Sequence, residues 1–213
     1  MIEKLIEELG QKDVQLVAVS KTRSNEQIMD CYNRGQRIFG ENRVQELIDK
    51  HTALPKDIKW HFIGHLQSKK TKQIADFIDL IHSIDSIKLL YEVNKQAESN
   101  ERKIKILLQM HIAEEKEKYG LEEDGLSEII AAYQDAQFPH VTICGLMGMA
   151  TFTNDKKQVK QEFHSLKRTF DQLKNARIFG DDFQTLSMGM SGDYNEAIDE
   201  GANMVRIGSL LFT

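Results

Sequence analysis

Eight short apolar segments recur along the chain at near-even intervals, a rhythm that a parallel sheet covered on both faces accommodates and a half-solvated sheet does not. They are QLVAVSK (15–21), RIFGE (37–41), KWHFIG (59–64), LIHSID (80–85), KIKILLQMH (103–111), VTICGLMGM (141–149), FQTLSMGM (183–190) and MVRIGS (204–209). Several are almost continuously apolar, as strands of an α/β protein are. Helical patterns lie between them. Val159, Phe163, Leu166, Phe170 and Leu173 place one apolar stripe on a helix over about 156–176. Ser24 with Gln27 is a capping-box pattern, and another helix starts near Asp85 and Ser86 with Leu89, Leu90, Val93 and Ala97 on one side. Eight strand-helix units in 213 residues give about 27 residues per unit, near the lower limit of a (β/α)8 TIM barrel. A doubly wound open sheet is the alternative, but it normally needs fewer strands. No low-complexity tract or Gly/Ser linker interrupts the pattern, and Pro55 and Pro139 each precede a strand, so residues 1–213 read as a single domain, with two small domains the alternative.

Composition excludes several function classes. The net charge is -5 and Lys69 with Lys70 is too small a basic cluster for a phosphate backbone, so no nucleic-acid surface is expected. No stretch is long and apolar enough for a membrane span, and the acidic opening MIEKLIEELG lacks the features of a signal peptide, which predicts a cytoplasmic protein. Cys31 and Cys144 have no nearby metal-ligand partner and read as reduced packing residues. His61 and His65 fall on the same strand face about 13 Å apart, too far for one metal, so no metal site is expected and His61 reads as structural. The charge run from Glu114 to Lys118 reads as a solvated loop.

Active sites of such barrels form where the strands exit. The exits here are polar and glycine-rich: Lys21; Gly40, Glu41 and Asn42; Gly64 and His65; His82, Ser83 and Asp85; Met147 to Ala150; Ser187 to Ser191; Arg206, Gly208 and Ser209. The last two loops, SMGMSGD and RIGSLL, occupy the usual phosphate position, where glycine backbone N–H groups and the hydroxyls of Ser187, Ser191 and Ser209 suit a dianion; turn glycines and capping serines are the competing reading. A lysine in a dry pocket loses its preference for the ammonium form and attacks an aldehyde, which gives Lys21 a role beyond that of a snorkelling strand-end cation. Lysine, phosphate cradle and a charged partner for a ring nitrogen together match the needs of pyridoxal 5'-phosphate (PLP).

The segments VAVSKTRS, FGENRVQE, WHFIGHLQSKK, HSID, GLMGMAT and LSMGMSGDYNEAIDEGANMVRIGSLLF, in this order, resemble the signature segments of the PLP homeostasis protein family over residues 14–212. The resemblance implies a barrel like the N-terminal domain of alanine racemase, carrying PLP as a Schiff base on Lys21. It implies that Ser187, Gly208 and Ser209 hold the phosphate, that Arg206 faces the pyridine nitrogen, and that Asn42, His65 and Met147 line the pocket; Ser191 joins this set from the SMGMSGD loop. Two departures are visible: His111 stands where asparagine is common, and Phe212-Thr213 where the family usually ends in FG.

Arginine cannot take up a proton from the pyridine nitrogen, so Arg206 predicts a weak electron sink. A racemase of this fold also needs a second base from a further domain, and after MVRIGS only Leu210 to Thr213 follow. The expected function is therefore intracellular PLP homeostasis and supply, with no catalytic residues, apo PLP-dependent enzymes as possible partners, and a monomeric state. An amino-acid racemase is the runner-up, and a phosphate-ester-metabolising barrel without PLP is a third reading.

Overall fold

The computed structural model describes residues 2–115 and 117–212; Lys116 of the charge run and Thr213 of the Phe212-Thr213 ending lie outside the described residues. The order of elements is α1 (Ile2–Gln11), β1 (Gln15–Val19), α2 (Asn25–Asn33), β2 (Ile38–Glu41), α3 (Val44–Ala53), β3 (Lys59–Phe62), a 3-10 helix (Ser68–Gln73), β4 (Leu80–Ile84), α4 (Ile87–Ser99), β5 (Ile104–Gln109), α5 (Glu123–Gln134), β6 (Val141–Met147), α6 (Lys156–Asn175), β7 (Thr185–Met190), α7 (Tyr194–Asp199) and β8 (Met204–Ile207). Each of the eight apolar segments read from the sequence contains one of these strands. They pair in sequence order, all parallel, and β8 returns to β1 through Gln15↔Met204, Leu16↔Val205, Val17↔Arg206 and Ala18↔Ile207, which closes a (β/α)8 barrel and sets aside the open sheet.

Local signals place the helices. Ser24 caps α2 in a full capping box: the Gln27 N–H donates to its Oγ, and the Ser24 N–H donates to Gln27 Oε1. Ser86 caps α4 by accepting from the Leu89 N–H, and Leu89, Leu90, Val93 and Ala97 are all buried. The stripe from Val159 to Leu173 is the buried face of α6, which starts at Asp155, whose carboxylate accepts from the N–H groups of Lys157 and Gln158. The link between β3 and β4 departs from the strand-helix rhythm, because a short 3-10 helix stands there in place of an α-helix. A helix in front of the first strand, α1, packs on β1 and buries Ile2 and Leu9.

Alternation along the strands divides the apolar residues into two layers. Trp60, Phe39, Phe62, Phe163 and Phe183 belong to the large cluster between barrel and helices. Val17, Leu80, Leu107, Cys144, Met147 and Met204 fill the barrel interior. Burial pushes the thiols of both Cys31 and Cys144 up to about 11, so they are inert packing groups at neutral pH.

Two histidines share that interior. His61 of β3 and His82 of β4 are buried and joined Nδ1 to Nε2 at 3.0 Å. Burial lowers the pKa of His61 against the opposing pull of Asp79, and burial together with His61 and Arg206 takes His82 well below the ordinary histidine value. Unfolding returns both rings to an ordinary value of about 6.5. Below that pH the unfolded chain therefore binds more protons than the folded one, and stability falls as the solution is acidified; above it the two rings contribute no slope. The expected loss is up to about 1.4 kcal/mol per pH unit for each ring, read as a drop in the urea midpoint between about pH 7 and pH 5. An unchanged midpoint over that range would show that these rings do not stay neutral in the fold.

Candidate functional site

The site is built at the C-terminal mouth of the barrel. At its base lies Arg206, inward-facing on β8 and only 4% exposed. Its Nη1 donates to the carbonyl oxygen of Ser187 at 2.9 Å and to Ser187 Oγ at 2.7 Å, and its Nη2 donates to the Gly148 carbonyl at 3.0 Å. These contacts use three of the five N–H groups and leave Nε–H and one Nη2–H without a hydrogen-bond partner among the described residues. Burial lowers the guanidinium to about 10, with Asp193 opposing, so it stays charged at neutral pH.

Above Arg206 the β7 and β8 exits meet. The Gly208 N–H donates to Ser191 Oγ at 3.2 Å, which joins the two loops read as a phosphate cradle. Gly208 suits a close approach: a Cβ there would stand 3.1 Å from the Val19 carbonyl oxygen of β1, near enough that the strand would have to give by a few tenths of an ångström. Ser209 is exposed beside it, and Ser191 is half-buried. The β7 loop is held by the Met190 N–H, which donates to Asp193 Oδ1 at 2.6 Å.

Across the mouth, Asn42 and His65 are brought together because Gly64 lets the β3 exit lie on the β2 exit; a Cβ on Gly64 would meet the Asn42 carbonyl oxygen at 2.3 Å. His65 Nδ1 bonds Asp85 at 3.0 Å and its ring stacks on Tyr119 with centroids 3.9 Å apart. Met147 is fully buried in the interior cluster and belongs to the floor.

Lys21 and Ser187 are placed differently from the sequence expectation. Regular strand β1 ends at Val19, and Thr22 adopts a φ of +63°, so Lys21 sits in a turn at the rim and is exposed, not enclosed in a dry pocket. Arg206 pairs with Val17, four residues earlier than Lys21, which sets the two cations at different heights along the barrel. Ser187 is fully buried, with its hydroxyl engaged by Arg206 and, at 3.2 Å, by His82 Nδ1. It lies below the mouth, whereas Ser191, Gly208 and Ser209 lie at it.

The rim lysine is fixed by a network that the sequence reading passed over. Lys50 of α3 donates from Nζ to the Ser20 carbonyl at 2.8 Å and to Glu41 Oε1 at 2.7 Å, and the Ser20 hydroxyl donates to the same carboxylate oxygen at 2.6 Å. Glu46 accepts from the Thr22 N–H at 3.0 Å and lies 3.6 Å from Lys50 Nζ. Both residues flanking Lys21 are thus tied to α3. Burial raises the Glu41 carboxyl above its usual range while Lys50 and Ser20 hold it back. The available signal was parity: Ser20 and Glu41 fall on strand positions that face the helix layer, where an unpaired polar group is costly. Lys50 carries no such signal, because only the fold brings α3 beneath the β1 exit.

The charge run is less solvated than expected. Glu115 accepts from the Phe152 N–H at 2.9 Å and pairs with Lys118 at 2.9 Å, and Lys118 donates to the Ala150 carbonyl at 2.8 Å, which pins the β5 exit to the β6 exit. Those contacts hold Glu115 at about 2, the Phe152 N–H being the largest cause. His111 serves the same loop, with Nδ1 3.1 Å from Glu122 and Nε2 3.0 Å from the Glu115 carbonyl.

Comparison with known proteins places this arrangement. Residues 2–213 match the family model described as alanine racemase, N-terminal domain. The chain is 37% identical over 214 residues to a pyridoxal phosphate homeostasis protein of Aquifex aeolicus, covering 99% of this chain and 92% of that protein. It is 40% identical to a Helicobacter pylori protein of the same name, covering 93% and 87%. Among solved structures, PipY of Synechococcus elongatus superposes with a TM-score of 0.88 without PLP and 0.85 with PLP bound, at 34% and 35% identity and full coverage of both chains. An alanine racemase from Bartonella henselae shares the fold with a TM-score of 0.72 at 17% identity, 99% of this chain matching 57% of the racemase. The chain belongs to the pyridoxal phosphate homeostasis protein family.

Proposed function

We propose that this protein holds PLP at the C-terminal mouth of its barrel, as a Schiff base on Lys21, and serves cofactor homeostasis and supply with no turnover of its own. The observation that carries the reading is the arrangement of donors: an exposed primary amine on the β1 rim, the Ser191-Gly208-Ser209 cradle on the adjoining β7 and β8 exits, and a buried guanidinium below them. The PLP-bound PipY structure, 35% identical along its whole length, supports it. The residues present fit the group. When bound, PLP supplies an aldehyde that takes a primary amine and a pyridine ring that draws electrons from it.

The hydroxyls of Ser191 and Ser209 offer hydrogen-bond donors to a phosphate dianion; the Gly208 N–H holds Ser191 Oγ as its acceptor, which leaves the Ser191 hydroxyl hydrogen to donate outward, and Gly208 puts no side chain in the way. Asn42 and His65 border the opposite wall, and Met147 supplies the floor. Ser187 acts one step removed, by orienting Arg206. Arg206 is a donor only, so at the ring nitrogen it hydrogen-bonds a lone pair and leaves that atom unprotonated. This keeps electron demand low and suits holding over turnover. The exposure of Lys21 leaves its covalent link open to water and to competing amines, which suits a protein from which the cofactor must leave.

The two inert buried thiols suit a reducing compartment, and we assign the protein to the cytoplasm, as one 1–213 unit working as a monomer with apo PLP-dependent enzymes as recipients. No helix of the described residues is long and apolar enough to cross a membrane.

Borohydride reduction of PLP-treated protein followed by peptide mapping is expected to place the pyridoxyl mass on Lys21, with Lys21→Ala losing both the mass and the visible absorbance band. An adduct confined to another lysine, or none, would refute the Schiff base, and accumulation of a D-amino acid on prolonged incubation would refute the absence of turnover. Lys50→Met leaves Glu41 buried without its cation, and is expected to cost about 3 kcal/mol in chemical denaturation and to slow adduct formation at Lys21. Unchanged rates of adduct formation would show that the network does not position the lysine.

A further inference from the structure

A continuous line of polar side chains crosses the barrel interior, and its hydrogen bonds have one direction. Arg206 is a donor only, so Ser187 Oγ accepts from Nη1 at 2.7 Å. The Ser187 hydroxyl hydrogen then needs an acceptor, and the contact on offer is His82 Nδ1 at 3.2 Å. His82 Nδ1 therefore carries no hydrogen, its proton is on Nε2, and Nε2 donates to His61 Nδ1 at 3.0 Å. His61 in turn is protonated on Nε2, which lies 3.5 Å from Asp79 Oδ2. Every link has one donor and one acceptor, and the opposite direction would strand the Ser187 hydrogen in a buried site.

The line ends at the other mouth of the barrel. His61 and Asp79 line a cavity of about 270 Å³ there with Lys59, Lys105, Asp182 and Cys144. The charged groups acting on His61 are Asp79, Lys59 and Lys105, and those acting on His82 are Arg206 and its neighbour His61. The cationic end of the line is thus enclosed beneath the proposed cofactor site, and the anionic end opens on the far face, between two lysines with no ion pair among the described residues.

We propose that His82 and His61 are positioning residues for the cofactor: through Ser187 they fix the guanidinium of Arg206, so that an N–H group it has left without a partner serves the PLP ring nitrogen, and Asp79 fixes their tautomers from the opposite mouth. The inference rests on the reading of Arg206 as the ring-nitrogen partner. It assigns a task to a buried histidine pair that cofactor contact alone leaves unexplained, and it makes the far mouth a place from which cofactor affinity is adjustable.

Two measurements test it. Long-range ¹H–¹⁵N spectra of the cofactor-free protein are expected to show His82 and His61 both as the Nε2–H tautomer; an Nδ1–H tautomer at His82 overturns the chain whether or not PLP binds. In the loaded protein, His82→Leu is expected to weaken PLP binding about tenfold and shift the absorbance band, while His82→Gln, which keeps a donor and an acceptor, recovers most of the affinity. Unchanged affinity and band position in His82→Leu would overturn the positioning role. Borohydride trapping on Lys21 in wild type and both variants separates this outcome from failure of the PLP reading, which would abolish trapping in all three. If His82→Leu does not fold, as judged by circular dichroism, the tautomers of the wild-type protein decide.

Discussion

A guanidinium sealed inside an eight-stranded barrel is the constraint around which the upper half of this fold is arranged. Removing such a group from water costs several kcal/mol unless its donors are met. Arg206 meets that cost with two carbonyls and one hydroxyl, and the strands supply them where their ladders become irregular. The β7–β8 register shifts between Ser187 and Met190, and the Ser187 carbonyl there accepts from both Arg206 and the Gly148 N–H. The irregularity at the end of the barrel is thus matched to the polar group it surrounds.

The rim at β1 solves a related problem on the other side of the sheet. Glu41 and Lys50 are buried outside the barrel, between strands and helix, where Lys50 and Ser20 both donate to Glu41 Oε1 while its Oε2 has no hydrogen-bond partner among the described residues. A buried pair of this kind adds little stability over an apolar pair of the same volume. What it adds is geometry, because its hydrogen bonds end on the backbone of Ser20, next to Lys21. The site is held at its base by interior hydrogen bonds to Arg206 and at its rim by exterior ones beside Lys21.

The strands were legible because burial on both faces writes itself as apolar runs, and so were the caps at Ser24 and Ser86, whose partners lie three residues on. The stripe on α6 is local in the same sense. What stayed hidden depends on pairing between segments distant in sequence. His61 meets His82 across 21 residues, and Ser187 meets His82 across 105. Ser187 and Ser191 look equivalent in SMGMSGD, yet they differ in depth by four residues along a strand, which puts one hydroxyl under Arg206 and the other at the mouth. Lys21 reads as the end of an apolar strand, but the positive φ of Thr22 turns the chain outward, and no composition rule foresees that for a threonine.

These placements bear on the proposal that this chain holds PLP without turnover. A carboxylate at the ring nitrogen would keep a proton there and strengthen electron withdrawal. Replacing Arg206 by an acid would not achieve this in the present barrel, because the Ser187 and Gly148 carbonyls that now accept from the guanidinium would face a second acceptor. The histidine pair beneath is held toward its neutral form by burial and adds no compensating charge. An acid at position 206 would therefore need new donors in place of the Ser187 and Gly148 carbonyls, and so more than a single substitution.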